Sequence, residues 1–372
     1  MFDENIQAKL VFDGKTLAIP KDLLPKGENP MDQIHDKGQL SGSVKEQLCE
    51  LAGRCCYDSL GQGRNSKEYW EHIRQVKHFS VIEHAYYTVN ATFTGHDVDY
   101  VGYVVSLLNR RGIYVEASRY LLRVTLNLRA MIEWDKWTAR SGATYMGQAE
   151  EWRNMLYPLL QQQAPLILPV RPDFKSVTRP CLRIELAEPE SSLENHVSFF
   201  LSGSRGWSHE QVRHRENISQ RSTRYVDEDD SPWVEHPLVT QFFKENHNCN
   251  LARSMDHTRD VAQDVYAALV SELQPWLVKK GVDKLTARKQ ARGAARGFLG
   301  NALRTEMIFT VSVDGWKEII RQRLNAAADA EIRWQYSQVL KALKESQFAE
   351  EFKNFGTEKS PDGMGEVLME KQ

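Results

Sequence analysis

The stretch Arg213–Tyr225 reads RHRENISQRSTRY, and its polarity decides how the rest of the chain is understood. It holds four arginines, a histidine, two serines and a glutamine, with Ile218 as its one aliphatic residue. Taken as about three helical turns, it lacks the apolar stripe that a surface helix sets against its polar face. The segment is organised for a ligand rather than for a core. Guanidinium groups offer a planar fork of donors that fits phosphate and carbonyl oxygens, and they keep their charge at any working pH. An anion is the expected occupant, and a nucleotide the natural one. The competing reading is a salt-bridge network in which the acidic run Asp227–Asp230 neutralises the arginines.

A second segment, His78–His84, reads HFSVIEH. Upstream of it Tyr69, Trp70, Ile73 and Val76 recur with helical period, and downstream Tyr86, Tyr87, Thr88, Val89 and Phe93 are β-formers. His78, Ser80, Glu83 and His84 are therefore expected at a helix-to-strand junction, where polar groups line clefts more often than cores. A third block runs from Ala295-Arg296 through Asn301–Thr305, Thr310–Ser312 and Arg323 to Ala330-Glu331-Ile332 at a helix start.

RHR followed by S-Q-x-S-x-R-Y, preceded by H-x-S-V-x-E-H and Ser204-Arg205 and followed by the third block, resembles the flavin-dependent thymidylate synthases. With LAGRCCYDS at Leu51–Ser59, the similarity covers about 50–95 and 197–345, three ordered blocks that are specific together. The resemblance implies methylation of dUMP with FAD, NADPH and methylenetetrahydrofolate, in a homotetramer whose chains share active sites. It implies that Arg213, His214 and Arg215 contact the flavin, and that His78, Ser80 and Glu83 line the FAD pocket and the folate entrance. Gln220, Ser222 and Arg224 would meet the deoxyuridylate, joined by Arg296 and Arg323, with Glu210 among the substrate contacts. Arg224, Arg323 and Ser222 form the expected catalytic group, Ser222 by hydrogen bonding alone because no histidine adjoins it. Ser312 and Glu318 fall where asparagine or histidine contacts with FAD are expected. The loop Glu216–Arg221 is one residue shorter than the family's, and Glu318 would bring a negative charge near an anionic cofactor. Related readings are C5 modification of UMP or a cytidylate, a nucleic-acid-binding module that uses the arginines as a phosphate clamp, and a structural subunit that has lost catalysis.

The chemistry suits the residue types. Methylating a uracil at C5 requires negative charge to build on the pyrimidine carbonyls, and a cysteine nucleophile is one way to bring that about. None of the five cysteines, Cys49, Cys55, Cys56, Cys181 and Cys249, lies in the three polar blocks. Arginine donors at the pyrimidine oxygens favour an electrostatic route instead, with hydride from reduced flavin. Odd in number and without CxxC spacing, the cysteines suggest neither a disulfide framework nor a metal site.

Hydrophobic residues at 41% and charged ones at 26% are globular values. A net charge of -2 argues against nucleic acid as a bulk partner, since duplex binders carry a basic excess. No basic-then-apolar leader opens the chain, and no apolar run approaches the ~18 residues of a membrane span. The expected location is cytoplasmic.

Strands and helices mix without βαβ alternation and no GxGxxG follows a strand, so the expected fold is α+β, and the resemblance implies a mixed or antiparallel sheet packed with long helices. Residues 1–45 read as a loosely ordered or strand-bearing extension, 46–355 as the synthase-like domain, and 356–372 as a disordered tail. His84 and Arg213 stand 129 positions apart (213 minus 84). The family joins these motifs almost directly, which implies an insertion at about 96–195. Within it a helix is expected near Val101–Arg111, then a mixed stretch from Tyr114 to Trp134 and a connection marked by Pro165, Pro169, Pro172 and Pro180. A strand is expected at Leu182, Ile184 and Leu186. Glu116–Trp134, with ASRYLL and TLNLR, weakly echoes Ala295–Trp316, and the echo is read as coincidence. Val261, Val265, Leu269 and Leu273 mark a helix ended by Pro275, and Ile332, Tyr336, Val339, Leu340 and Leu343 mark another.

Overall fold

The computed structural model describes residues 3–93, 108, 112–118, 120–134, 146–170 and 182–371. The chain opens with β1 (Gln7–Phe12), α1 (Pro30–Asp36), α2 (Val44–Tyr57) and α3 (Ser66–Val76), then a 3-10 turn at Phe79–His84 and β2 (Tyr86–Phe93). The expected insertion holds β3 (Ile113–Ala117), β4 (Leu121–Asn127), α4 (Leu128–Ile132), α5 (Met146–Gln163) and β5 (Leu182–Ala187). Next come β6 (His196–Ser204), α6 (Arg205–Gln211), β7 (Asn217–Gln220), α7 (Pro237–Glu245), α8 (Cys249–Lys279) and α9 (Lys284–Ala295). The last elements are β8 (Arg304–Ser312), α10 (Val313–Arg323), α11 (Ala330–Lys344), β9 (Phe355–Lys359) and β10 (Glu366–Glu370). Strands and helices are mixed and every strand pairing among the described residues is antiparallel, an α+β fold as the patterning implied.

Two four-stranded sheets organise these elements, β1-β6-β8-β7 and β3-β4-β2-β5. β6 is buried at every position but His196, so both of its faces are covered. Its alternation sends Phe199 to one side, against Trp316 and Tyr336 of α10 and α11, and Phe200 to the other, against Leu48 and Leu51 of α2. Each such side chain, fully buried, contributes roughly 1.5–3 kcal/mol. The second sheet packs Val89, Val124 and Leu126 against Trp70 of α3 and Trp152 of α5. Capping boxes at Ser43/Glu46 and Asn65/Glu68 start α2 and α3, so these helices begin where their first free amides find side-chain acceptors.

Three expectations are corrected. The arginine segment is not helical: Val212–His214 is one 3-10 turn, Arg215 has φ 58°, and Asn217–Gln220 is strand β7 on the edge of β8. Alternation of buried Asn217 and Ser219 with half-buried Ile218 and Gln220 is the period-2 pattern that the helical reading overlooked. The tail is a hairpin rather than disordered, because Phe355 and Val367 are buried and Arg333 reaches Asp362 and the Met364 carbonyl. Helix α8 continues through Pro275 to Lys279, since the proline sits exposed near the end of the helix. The extension contributes β1 to the first sheet. Val101–Arg111 apart from Leu108, together with Pro172 and Pro180, lie outside the described residues. Among the described residues no helix is long and apolar enough to cross a membrane.

Candidate functional site

β7 is short, about 10 Å at ~3.4 Å per residue, and arginines stand at both ends of it. At its start, Arg213 and Arg215 are exposed and make no ion pair or side-chain hydrogen bond with the described residues. A left-handed backbone at Arg215 turns the chain into the strand, an uncommon conformation for a residue with a Cβ. His214 faces inward, and its Nε2 accepts from Arg323 Nε at 2.8 Å. Burial, and then the Arg323 charge, pushes the His214 pKa down to about 4, so the ring is neutral at pH 7 and able to accept that bond. Arg323 also donates to Glu210, through Nη1 to Oε2 at 2.7 Å and Nη2 to the backbone carbonyl at 3.0 Å. The structure thus joins Glu210, His214 and Arg323.

At the other end the arginines divide. Arg221 is held by Glu228, Asp58 and Glu306 at 3.7, 3.8 and 3.9 Å, and Arg304 pairs with the same Glu306 at 2.6 Å. Arg292 of α9 pairs with Asp227. This is the salt-bridge network that the acidic run offered, and it takes Arg221 but not Arg224. Arg224 is exposed and lies beside Gly293 of α9, without an ion pair among the described residues. Arg296 donates to Thr223 Oγ1 at 3.0 Å. Arg205, half-buried at the start of α6, has its pKa lowered by burial and then by Arg296. Among the described residues neither Arg205 nor Arg296 has a carboxylate at ion-pair distance, and the field of Glu228 offsets only part of the burial and of the Arg296 charge at Arg205. Gln220 donates to Ser208 Oγ and Thr305 Oγ1 at 3.1 and 3.2 Å, and the Ser222 amide donates to the Cys56 carbonyl at 2.9 Å.

The junction residues play distinct parts. His84 is fully buried between Thr310 Oγ1 at 2.7 Å and Ser219 Oγ at 2.8 Å, tying the 3-10 turn to β8 and β7. Burial pushes its pKa down to about 3, which makes it a neutral structural tie. His78 Nδ1 hydrogen-bonds Tyr57 Oη at 2.7 Å, and Ser80 Oγ lies 3.4 Å from its Nε2. Tyr57 in turn meets Tyr225 edge to face at 4.8 Å, and Lys289 Nζ stands 4.5 Å from the Tyr225 ring centroid. Through Tyr57 the junction reaches the end of the arginine segment. Glu83 forms an ion pair with Arg129 of α4, a residue from the expected insertion.

Ser312 and Glu318 are not brought into this cluster. Ser312 Oγ accepts from Gly315 N at 3.1 Å as the cap of α10, and exposed Glu318 accepts from Gln322. The serine is explained by capping, and the charge at 318 lies on a solvated helix face. Sequence reasoning missed Thr223, Tyr57 and Arg129 as site residues. Thr223 and Tyr57 belong to stretches it had marked, and Arg129 belongs to the TLNLR echo it set aside.

Residues 183–346 match the family model described as thymidylate synthase complementing protein. The chain is 36% identical over 139 residues to a flavin-dependent thymidylate synthase of Mycolicibacterium gilvum (strain PYR-GCK), which is 37% of this chain and 53% of that protein. It is 35% identical over 139 residues to one from Mycobacterium tuberculosis (strain ATCC 25618 / H37Rv), with the same shares. A relative from Mycobacterium sp. (strain KMS) is 36% identical over 143 residues, 37% of this chain and 54% of that protein. The chain thus spans about half the length of the curated relatives it matches.

Proposed function

We propose that this chain, which matches the thymidylate synthase complementing protein family over residues 183–346 and is 36% identical over 139 residues to a flavin-dependent thymidylate synthase, converts dUMP to dTMP, with methylenetetrahydrofolate as carbon donor and NADPH-reduced FAD as hydride source. One observation carries the reading. Arg205, Arg213, Arg215, Arg224 and Arg296 gather around a single short strand without a carboxylate at ion-pair distance among the described residues. Clustered like charges are unfavourable unless an anion joins them, and these guanidiniums have the donor geometry for phosphate and pyrimidine oxygens.

The donor set fits an anionic flavin at Arg213 and Arg215, which are exposed and free to turn toward it. When bound, FAD supplies the hydride. Arg224 and Arg296, with Gln220 and Ser222 beside them, bind and orient the nucleotide and stabilise charge as it develops on the pyrimidine carbonyls. Arg323, fixed by Glu210 and His214, adds a positioned donor whose direction does not depend on the substrate. His78 and Ser80 form the wall next to Tyr57, where the cofactor and the folate approach.

Self-assembly, a homotetramer in this reading, is supported by α8. This helix is 31 residues long with Tyr266 as its one fully buried side chain, and Leu251, Met255 and Trp276 are exposed on it. A helix so little covered is stabilised by tertiary contacts that one chain does not give it. The cytoplasm, a reducing compartment, suits the free cysteines.

The test is the visible spectrum of the purified protein followed by NADPH oxidation with and without dUMP. A yellow protein whose oxidation of NADPH is stimulated by dUMP is expected. A colourless protein that cannot be loaded with FAD overturns the reading.

A further inference from the structure

The two four-stranded sheets have one plan. From the outer edge, one runs β3-β4-β2-β5 and the other β7-β8-β6-β1, with every neighbour antiparallel. The registers correspond as well. Tyr86 opposes Asn127 where β2 begins, and His196 opposes Ser312 where β6 begins. Two residues on, Thr88 opposes Thr125 and Ser198 opposes Thr310, and both pairs are joined hydroxyl to hydroxyl, at 2.8 and 2.6 Å. Asn127 and Ser312 each cap the helix that follows, accepting from Ala130 N at 3.0 Å and Gly315 N at 3.1 Å. Later, α5 buries Trp152, Leu156 and Leu160, and α11 buries Ile332, Tyr336 and Leu340, each stripe opening one residue before an arginine, Arg153 or Arg333. Tyr86 and His196, equivalent in this scheme, stack on each other with centroids 3.5 Å apart and planes 9° apart, as equivalent residues do on a local two-fold axis. The echo between Glu116–Trp134 and Ala295–Trp316 thus has a counterpart in strand order and register.

The two units have kept different chemistry. Where the second has RHR at Arg213–Arg215 and S-T-R-Y at Ser222–Tyr225, the first reads N-R-R-G at Asn109–Gly112 and S-R-Y at Ser118–Tyr120. Where the first has T-L-N-L-R at Thr125–Arg129, the second has T-V-S-V-D at Thr310–Asp314. Asp314 is a carboxylate engaged with Ser192 and Lys317. By contrast, Asn127 Nδ2 lies 3.4 Å from Tyr86 Oη, which also receives Asn217 Nδ2 at 2.7 Å from the strand after RHR. Arg129 pairs with Glu83, and its Nε lies 3.2 Å from Glu133.

We propose that residues 86–163 are a diverged copy of the unit formed by residues 196–344, and that the copies build one composite site at their seam. In it Asn127 and Arg129 of the first copy position the junction turn against the arginines of the second. The supposed insertion then contributes Asn127 and Arg129 to the site, and the identity of the ligand rests on the function proposed above. The family match at 183–346 agrees, because it begins before β6 and takes in the second unit without interruption. Arg129 is also near enough to His78 to lower its pKa, after burial, so its charge is felt in the turn.

The experiment uses the full chain with Arg129→Met, Arg129→Lys, Asn127→Ser and, as the equivalent change in the other copy, Asp314→Asn. The wild type is expected to take up one FAD per chain. Arg129→Met weakens FAD about tenfold, the worth of one charge-assisted hydrogen bond. Arg129→Lys restores most of that affinity, Asn127→Ser weakens FAD while keeping the cap, and Asp314→Asn leaves the affinity unchanged. Two flavins per chain, or wild-type affinity in Arg129→Met, overturns the composite site. A second readout needs no ligand: NMR titration of His78, whose midpoint is expected to rise in Arg129→Met and to stay in Asp314→Asn. An unmoved His78 overturns the proposal by itself. A wild-type chain that binds no FAD refutes the proposed function, and the His78 titration then decides the composite site alone.

Discussion

The two sheets share strand order and register yet hold their cations in opposite ways. Around the β6–β8 pair and its edge strand, five arginines have no carboxylate at ion-pair distance among the described residues, whereas the β2–β4 pair ties Arg123 to Glu194 and Arg129 to Glu83 and Glu133. A paired buried arginine is part of the frame, and breaking the pair leaves an uncompensated charge. An unpaired one adds little to stability and waits for an anion. The chain makes the same distinction within one segment, where Arg221 is paired and Arg224 is not.

The largest effect expected from this contrast is on turnover. Arg224→Ala lowers dUMP-dependent turnover by on the order of a hundredfold or more, the loss seen when a donor to developing charge is removed. Flavin uptake and the unfolding midpoint stay as in the wild type. Steady-state kinetics beside a thermal melt check this, and a large loss of stability would move Arg224 into the paired class. Arg221→Ala is expected to behave in the opposite way. It leaves buried Glu228 without its ion-pair partner and takes from Glu306 one of two cations, Arg304 remaining at 2.6 Å; burial already raises the pKa values of both carboxylates. The expected cost is about 3 kcal/mol in urea unfolding, and a cost near zero would erase the distinction.

Much of this was legible in the sequence. The three polar blocks stand out because they lack an apolar stripe, and the junction at His78–His84 follows from a change of period between Val76 and Tyr86. Partners were not legible. Nothing local tells which of Arg221 and Arg224 meets Glu228, since that depends on how the chain turns after β7. The helical reading of the arginine segment failed because four residues of alternation are too few to register beside so many charges. The repeat was passed over because it lives in strand order and register, while the side chains that advertise a motif have diverged between Thr125–Arg129 and Thr310–Asp314.

A pH experiment sharpens the comparison at the seam. His84, in the turn that leads into the first unit, reaches β7 and β8 of the second as a neutral ring. The unfolded histidine takes up a proton below ~6.5, but the folded one resists until about 3. Between those values the unfolded state binds more protons, so stability rises with pH and falls on acidification. The expected slope is about 1 kcal/mol per pH unit from this group. His84→Gln removes that contribution whatever its baseline stability, and unfolding followed from pH 7 to 4 measures the difference. An unchanged slope would show that the seam does not rest on a neutral histidine.

The smallest effect separates the two equivalent caps. Ser312→Ala removes the acceptor for Gly315 N and is expected to cost about 1 kcal/mol, because Ser312 has no other side-chain bond among the described residues. Asn127→Ala removes the acceptor for Ala130 N and also the amide beside Tyr86 Oη, so its cost should exceed that of Ser312→Ala by roughly 0.5–1 kcal/mol, the worth of one neutral hydrogen bond. Asn127→Ser keeps a cap and loses only the amide, so it should fall between the wild type and Asn127→Ala. Chemical unfolding of the three variants gives this order directly. If Ser312→Ala is instead the costlier alanine substitution, then the second unit leans on its cap more than the first, and the Asn127 amide adds nothing to the Tyr86 hydroxyl that receives Asn217.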